Sequence, residues 1–66
     1  MKVKNTETIW NGKKNGGWSI MIQLEDESVY EVFGFEFYKE ALQQENLILE
    51  DGFYIAEYDR NFVNIF

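Results

Sequence analysis

The side chains of this sequence that could carry chemistry are carboxylates, hydroxyls and lysines, because the chain contains no histidine and no cysteine. The absence of histidine removes the usual general base of a serine nucleophile. The absence of cysteine excludes disulfides, thiolate catalysis and Cys/His zinc sites. Ser19 and Ser28 lie in no Gly-x-Ser-x-Gly motif. The residue types therefore predict a protein that is not an enzyme and that carries neither a cofactor nor a metal.

Two local clusters look like ligand sites but lack the required spacing. Glu25-Asp26-Glu27 does not follow the Asp-x-Asp-x-Asp-Gly pattern of a calcium loop. Gly16-Gly17 beside Lys13-Lys14 matches neither the P-loop nor the dinucleotide-binding fingerprint. These patterns favour a solvated turn for the first cluster and a hairpin loop for the second.

A third cluster combines acidic and aromatic side chains in the last twenty residues. Its members are Glu50, Asp51, Tyr54, Glu57, Tyr58, Asp59 and Phe62. Carboxylates attract arginine and lysine, and aromatic rings anchor protein interfaces and bind cations over their faces. We therefore predict that these seven residues form a partner-binding site for a protein with a basic surface.

The net charge of −6 is divided unevenly along the chain. Residues 1–24 hold four lysines and one acidic residue, a net +3, whereas residues 25–66 hold eleven acidic and two basic residues, a net −9. Nucleic-acid binders usually carry a basic stripe that contacts phosphates. The acidic segment therefore argues against direct nucleic-acid binding and favours either a cationic protein partner or simply a solvated surface.

Strands and one helix are expected to position these side chains within a single compact domain, residues 1–66. Residues 3–10 have strand-forming character, and Trp18, Ile20, Ile22 and Leu24 alternate along one face of a second strand. Two Asn-Gly pairs in 11–17 predict a hairpin loop between these strands. A third strand is predicted over 29–33.

The predicted helix covers residues 35–46. Glu36 would lie near its positive start, and Asn46 would end it in a left-handed conformation. The next residues, 47–50 and 53–58, are predicted to pair as strands across Asp51-Gly52, which is a two-residue hairpin signal. Asp59-Arg60-Asn61 would then turn the chain into a last strand over 62–66.

The predicted fold is thus α+β, with a small antiparallel sheet of five to six short strands and one helix in the order β-β-β-α-β-β-β. Both faces of its C-terminal half would be apolar, and one helix can cover only one of them. One face carries Ile48, Phe53, Ile55, Val63 and Ile65, and the other carries Leu47, Leu49, Tyr54, Tyr58, Phe62 and Phe66. The second face would be covered by curling into a barrel-like sheet, or it would form an interface with a partner or in a homodimer.

Small size, acidity and the lack of catalytic groups suggest a function. We expect an acidic protein-binding module that inhibits a basic nucleic-acid-handling protein or acts as its decoy, by occupying a basic groove in place of phosphates. Viral anti-defence proteins of phages and mobile elements, such as anti-CRISPR-like inhibitors, act on such targets. The alternative is a self-associating structural or scaffold protein that uses an aromatic sheet face.

The cytoplasm of a prokaryotic or virus-infected host cell is the expected location. The sequence contains no run of about 20 apolar residues that could cross a membrane. Its first residues also lack the apolar middle of a signal peptide.

Overall fold

The protein is an α+β fold in which one helix packs on a four-stranded antiparallel sheet. A computed structural model describes residues 2–58 and 63–65 of the chain. The elements are β1 (Val3–Trp10), β2 (Trp18–Leu24), β3 (Val29–Phe35), α1 (Tyr38–Asp51) and β4 (Val63–Ile65), with short 3-10 turns at Lys13–Asn15 and Ile55–Glu57. The strands lie side by side in the order β1-β2-β3-β4.

The N-terminal hairpin confirms the prediction from the period-2 pattern. In the register of β1 and β2, Thr8 lies opposite Ile20 and Trp10 lies opposite Trp18. Two backbone hydrogen bonds close the loop: the Asn11 N–H donates to the Gly17 carbonyl, and the Gly17 N–H donates to the Gly12 carbonyl, each over 3.0 Å. A Cβ at Gly17 would lie 2.6 Å from the carbonyl oxygen of Phe35, so this position requires glycine.

The third strand continues two residues further than predicted, through Gly34 to Phe35. Phe35 pairs with Trp18, and the register shifts between Trp18 and Ser19, so the strand is irregular at this end rather than terminated by Gly34. The turn that precedes β3 is tight. The Leu24 N–H donates to the Ser28 carbonyl over 2.9 Å, and Glu27 adopts a positive φ of 71°.

The helix begins and ends later than predicted, and this difference corrects the C-terminal half of the predicted fold. Glu36 precedes α1, whereas Asn46 lies inside it. The predicted strand over 47–50 is the last turn of the helix. Ala41 and Ile48 are seven residues apart on one helical face, and both are buried in the core. Extending the helix is therefore what brings Ile48 into the core.

Asp51-Gly52 ends the helix and does not form a hairpin. Gly52 has a φ of 85°, and its N–H donates to the Ile48 carbonyl over 2.9 Å, which is a helix-ending arrangement that glycine favours. The predicted pairing of 47–50 with 53–58 is therefore wrong. After Phe53 and Tyr54 the chain forms the 3-10 turn at Ile55–Glu57 instead of a strand.

The final strand pairs with β3 and not with residues 53–58. Tyr30 lies opposite Ile65, and Val32 lies opposite Val63. The described residues therefore contain four strands rather than five to six, in the order β-β-β-α-β. β1 and β4 are the edges of this sheet, which is open rather than barrel-like over the described residues. The predicted turn at Asp59-Arg60-Asn61, together with Phe62 and Phe66, lies outside the described residues.

A single core lies between α1 and one face of the sheet. Its fully buried apolar side chains are Ile20, Ile22, Leu24, Val32, Ala41, Ile48 and Phe53. Phe53 fills the space beyond the helix end, where its ring lies 5.3 Å from that of Tyr30 and 5.5 Å from that of Tyr58. No helix in the described part of the chain is long and apolar enough to span a membrane.

The described members of the predicted second apolar face do not share a sheet face, because they belong to different elements. Leu47 and Leu49 lie on α1, and Tyr54 and Tyr58 lie in the segment that follows it. In the strand registers, the side of the sheet away from α1 is shared by apolar residues such as Met21 and polar ones such as Gln23, Glu31 and Asn64. The period-2 pattern of the sequence already places Met21 and Gln23 on the same face of β2.

The burial of Phe53 predicts a large difference between two neighbouring aromatic residues. Truncating a buried phenylalanine to alanine costs about 3–5 kcal/mol, which is comparable to the whole stability expected of a domain this small. Phe53→Ala should therefore be largely unfolded at 25 °C. Tyr54, which is 48% exposed, provides the matched control. Tyr54→Ala should lose less than about 1 kcal/mol in urea unfolding. Equal losses in the two variants would contradict the observed packing.

Candidate protein-binding site

Acidic residues from two distant parts of the chain meet at one end of the molecule, which we call the acidic end. It consists of Glu25, Asp26 and Glu27 in the β2–β3 turn and of Glu50 and Asp51 at the end of α1. Because α1 follows β3 and runs back along the sheet, its C-terminus returns to this turn. Glu25, Glu50 and Asp51 line the same open groove, which has a volume of about 380 Å³. Lys2 also lines it, so the three carboxylates outnumber one cation there.

Hydrogen bonds fix the turn that carries three of these carboxylates. The N–H and the hydroxyl of Ser28 both donate to Asp26 Oδ1, and these bonds hold the pKa of Asp26 below its ordinary value. Glu27 accepts bonds from Lys4 Nζ over 2.7 Å and from Gln23 Nε2 over 2.9 Å. Two of the three carboxylates are thus held by neighbouring groups. Glu25 lines the groove.

The other two carboxylates lie where the helix itself is negative. Glu50 and Asp51 are in the last turn of α1, which contains no basic residue. The aligned peptide dipoles place partial negative charge at a helix C-terminus, so an acidic side chain there is unfavourable by about 0.3–1 kcal/mol. The helix end therefore attracts cations more strongly than its carboxylates alone would.

Two large apolar side chains flank these charges. Leu49 is 54% exposed and Tyr54 is 48% exposed, and both line the groove with Glu25, Glu50 and Asp51. Exposed apolar side chains next to charged ones are the usual composition of a protein interface. The groove is therefore suited to a partner that offers a basic rim and an apolar or aromatic contact.

The structure brings together three of the seven predicted site residues, namely Glu50, Asp51 and Tyr54. Glu57 is exposed on the 3-10 turn. Asp59 and Phe62 lie outside the described residues. Because nothing tests the role of these seven residues in binding, their assignment stays a prediction.

Tyr58 is oriented inwards. Its ring stacks on Phe53 at 5.5 Å and 28°, and its hydroxyl donates to Gln44 Oε1 over 3.4 Å. Burial, together with the charge of Glu57, raises the pKa of Tyr58 above its ordinary value. Tyr58 thus has an evident role in packing, in addition to its predicted role in binding.

Sequence reasoning missed Glu25 and Leu49 as parts of this groove. Glu25 was predicted to be a solvated turn residue, and Leu49 was assigned to a strand. The spacing of Ala41 and Ile48 is a signal that could have found both, because a helix that continues to residue 51 must return to the β2–β3 turn. A hydrophobic run such as 47–49 fits a strand and a helix equally well when read alone.

The groove shows no feature of a metal site. No group of three or more acidic side chains is placed to hold a metal ion within residues 2–58 and 63–65. The chemistry that the arrangement offers is attraction of cationic groups.

Comparison with known proteins identifies no relative. No family model matches the chain, and no match was found among curated proteins or solved structures. The function must therefore be argued from the geometry of this protein alone.

The unfavourable charges at the helix end predict that neutralising them stabilises the protein. Glu50→Gln with Asp51→Asn should raise the free energy of unfolding by about 1 kcal/mol at low salt, since both carboxylates lie at the negative end of α1. Glu40 is the matched control, because it lies in the first turn, where a negative charge is favourable. Glu40→Gln should lower the free energy of unfolding by a few tenths of a kcal/mol. Changes of the same sign in the two variants would contradict this account.

The environment of Tyr58 predicts a dependence of stability on alkaline pH. A phenol whose pKa is raised by folding binds its proton more tightly in the folded state, so its contribution is complete below the unfolded pKa of about 10 and is lost as the pH rises through the folded value. Urea unfolding should therefore show stability falling above about pH 10. Tyr58→Phe keeps the stacked ring and should lack this component. An identical pH profile in both proteins would argue against the buried phenol.

Proposed function

We propose that this protein is a small acidic binding module whose acidic end docks on the basic surface of another protein. The proposed partner is a nucleic-acid-handling protein, and the proposed effect is inhibition, because the carboxylates would occupy the cationic groove that normally receives phosphates. The proposed setting is the cytoplasm of a prokaryotic or virus-infected cell, where the chain would act as an anti-defence inhibitor or decoy.

The observation that carries this proposal is the unbalanced charge around an exposed apolar groove. Glu50 and Asp51 reduce the stability of the helix that bears them, and Leu49 and Tyr54 expose about half of their side chains to water. Residues that are unfavourable for the fold are often retained for binding. A basic partner would neutralise the helix end and bury the apolar contact in one step.

Electrostatic attraction of this kind has a characteristic salt dependence. Exposed charges are screened over about 10 Å at 0.1 M salt and over about 3 Å at 1 M. Binding through the acidic end should therefore weaken steeply as salt rises. Attraction to a cationic groove should also be relieved by nucleic acid, which competes for the same cations.

Charge reversal at the acidic end tests the proposal. Glu25→Lys, Glu50→Lys and Asp51→Lys together should reduce capture of nucleic-acid-binding proteins from a lysate of the source cells by at least about tenfold, since each lost ion pair removes about 0.5 kcal/mol and each repulsion adds to it. Added nucleic acid should release the captured proteins from the unmodified chain. Captured amounts would be measured by quantitative mass spectrometry.

The matched control makes the same change of net charge elsewhere. Glu7→Lys, Glu31→Lys and Glu36→Lys lie away from the groove and should leave capture within about twofold of the unmodified protein, because only charges near the contact act strongly. Circular dichroism would verify that both variants fold. Equal loss in the two triple variants, or capture that nucleic acid does not relieve, would refute the proposed mode.

A further inference from the structure

A second unusual surface lies at the opposite end of the molecule, which we call the aromatic end. It consists of Trp10, Trp18, Phe37 and Tyr38, and the chain segments that carry them also carry Lys13, Lys14 and Lys39. Lys13 and Glu36 line a depression together with Trp10. The rings of Trp10 and Trp18 lie 5.0 Å apart, and those of Trp18 and Tyr38 lie 4.8 Å apart. Trp10, Phe37 and Tyr38 are exposed by 51%, 60% and 49%, respectively.

The exposed parts of Trp10, Phe37 and Tyr38 take no part in the packing of the core. Half of three aromatic side chains corresponds to roughly 300 Å² of apolar surface, a size that marks interaction sites in small proteins. The lysines come from two elements, the β1–β2 loop and the start of α1. Glu36 and Glu40 also lie at this end, so its local charge is slightly positive in a protein whose net charge is −6.

The acidic and aromatic ends are complementary in charge, and both expose apolar side chains. The aromatic end offers exposed rings and a slight excess of lysines over acidic residues. The acidic end offers Leu49 and Tyr54 beside three carboxylates and Lys2. The groove at the acidic end is open and has a volume of about 380 Å³, so an aromatic side chain of a second copy can approach Leu49 and Tyr54 there. Apolar centres would meet apolar centres, and opposite charges would meet at the rim.

The two ends cannot meet within one molecule. β1, β2 and α1 each run from one end to the other, and a helix of 14 residues spans about 21 Å. Only a second copy can bring an aromatic end to an acidic end. We propose that copies of this chain associate head to tail, with the aromatic end of one copy docked on the acidic end of the next.

This arrangement determines the kind of assembly. The contact joins two different surfaces, so each added copy leaves one free end of each type, and the association continues as an open chain unless the rotation closes it into a ring. At 0.1 M salt the screening length is about 10 Å, so the charges that face each other at the contact outweigh the net repulsion between distant parts of the two copies.

The inference is independent of the proposed basic partner, although both use the acidic end. A partner bound there would block the association of a further copy at that position. Replacing Lys13 and Lys14 with glutamine should abolish self-association without lowering the capture of basic proteins, because it leaves the acidic end intact. Failure of one proposal is thereby distinguishable from failure of the other.

Sedimentation velocity from 10 to 500 μM tests the proposal directly, with the measurement made at 0.1 and 0.5 M salt. The weight-average mass should rise with concentration beyond that of a dimer at 0.1 M, and the rise should be lost at 0.5 M. A mass that stays at the 7.9 kDa monomer, or that reaches a plateau at two copies, would overturn the head-to-tail arrangement. An unchanged rise at 0.5 M would overturn the role of charge.

Two end-specific variants give a sharper test. Lys13→Gln with Lys14→Gln removes charge only from the aromatic end, and Glu50→Gln with Asp51→Asn removes it only from the acidic end. Each variant alone should remain monomeric. An equimolar mixture should form heterodimers and nothing larger, because one intact end of each type remains available. Glu7→Gln with Glu31→Gln, changed away from both ends, should associate like the unmodified chain. A monomeric mixture, or a control that fails to associate, would refute the pairing.

Discussion

The contact between α1 and one face of the sheet is the constraint on which the rest of the structure depends. The chain has no disulfide and few residues with which to build a core, so nearly all of its fully buried apolar side chains lie at this contact. Burying Ala41 and Ile48 together fixes which helical face meets the sheet and requires the helix to continue beyond Ile48. The length of the helix places its first turn at the aromatic end and its last turn at the acidic end, because the helix spans the sheet.

The same constraint converts an uneven sequence of charges into an uneven surface. Along the chain, the positive residues precede the negative ones, but antiparallel folding rearranges them. Lys4 returns to the acidic end, where it pairs with Glu27 at 2.7 Å, whereas Lys13 and Lys14 are carried to the aromatic end. Lys13 and Lys14 are positively charged, so the carboxylates of the acidic end would attract them. The acidic end therefore carries Lys2 and Lys4 beside its five carboxylates and keeps a negative charge, whereas the aromatic end is slightly positive, a difference that the net charge of −6 does not reveal.

The parts of the fold that the sequence predicts well are those in which local and tertiary preferences agree. Residues 3–10 have strand-forming character, residues 18–24 alternate with period 2, and Asn-Gly pairs join them, so both strands and their loop were identified correctly. The C-terminal half was mistaken because 47–49 is apolar without a clear period, and because Asp-Gly is compatible both with a hairpin and with a helix end. The burial of Ile48 and Phe53 in the core decides that Asp51-Gly52 ends a helix and does not form a hairpin. Three of the eight residues that line the groove, Glu50, Asp51 and Tyr54, were consequently recognised by type. Glu25 and Leu49 could be added only after the length and direction of the helix were known.

Composition suggests a second apolar sheet face that needs a cover, but the side of the sheet away from α1 carries polar as well as apolar residues. On the side away from α1, Ser19 is fully buried and accepts a 2.7 Å hydrogen bond from Asn11 Nδ2. Its partners in the strand registers, Ile9 and Phe33, are half-buried. Met21 on this side is only partly exposed and lies beside the polar Gln23. Among the exposed large apolar side chains, Trp10 and Phe37 lie at one end of the molecule and Leu49 and Tyr54 lie at the other, whereas Leu42 and Leu47 lie along α1 and Ile65 lies on β4. A single helix on a four-stranded sheet can bury one face along its length but leaves both of its termini uncovered. In a chain this short, those termini are the places where apolar surface can be kept exposed for a partner without disturbing the core.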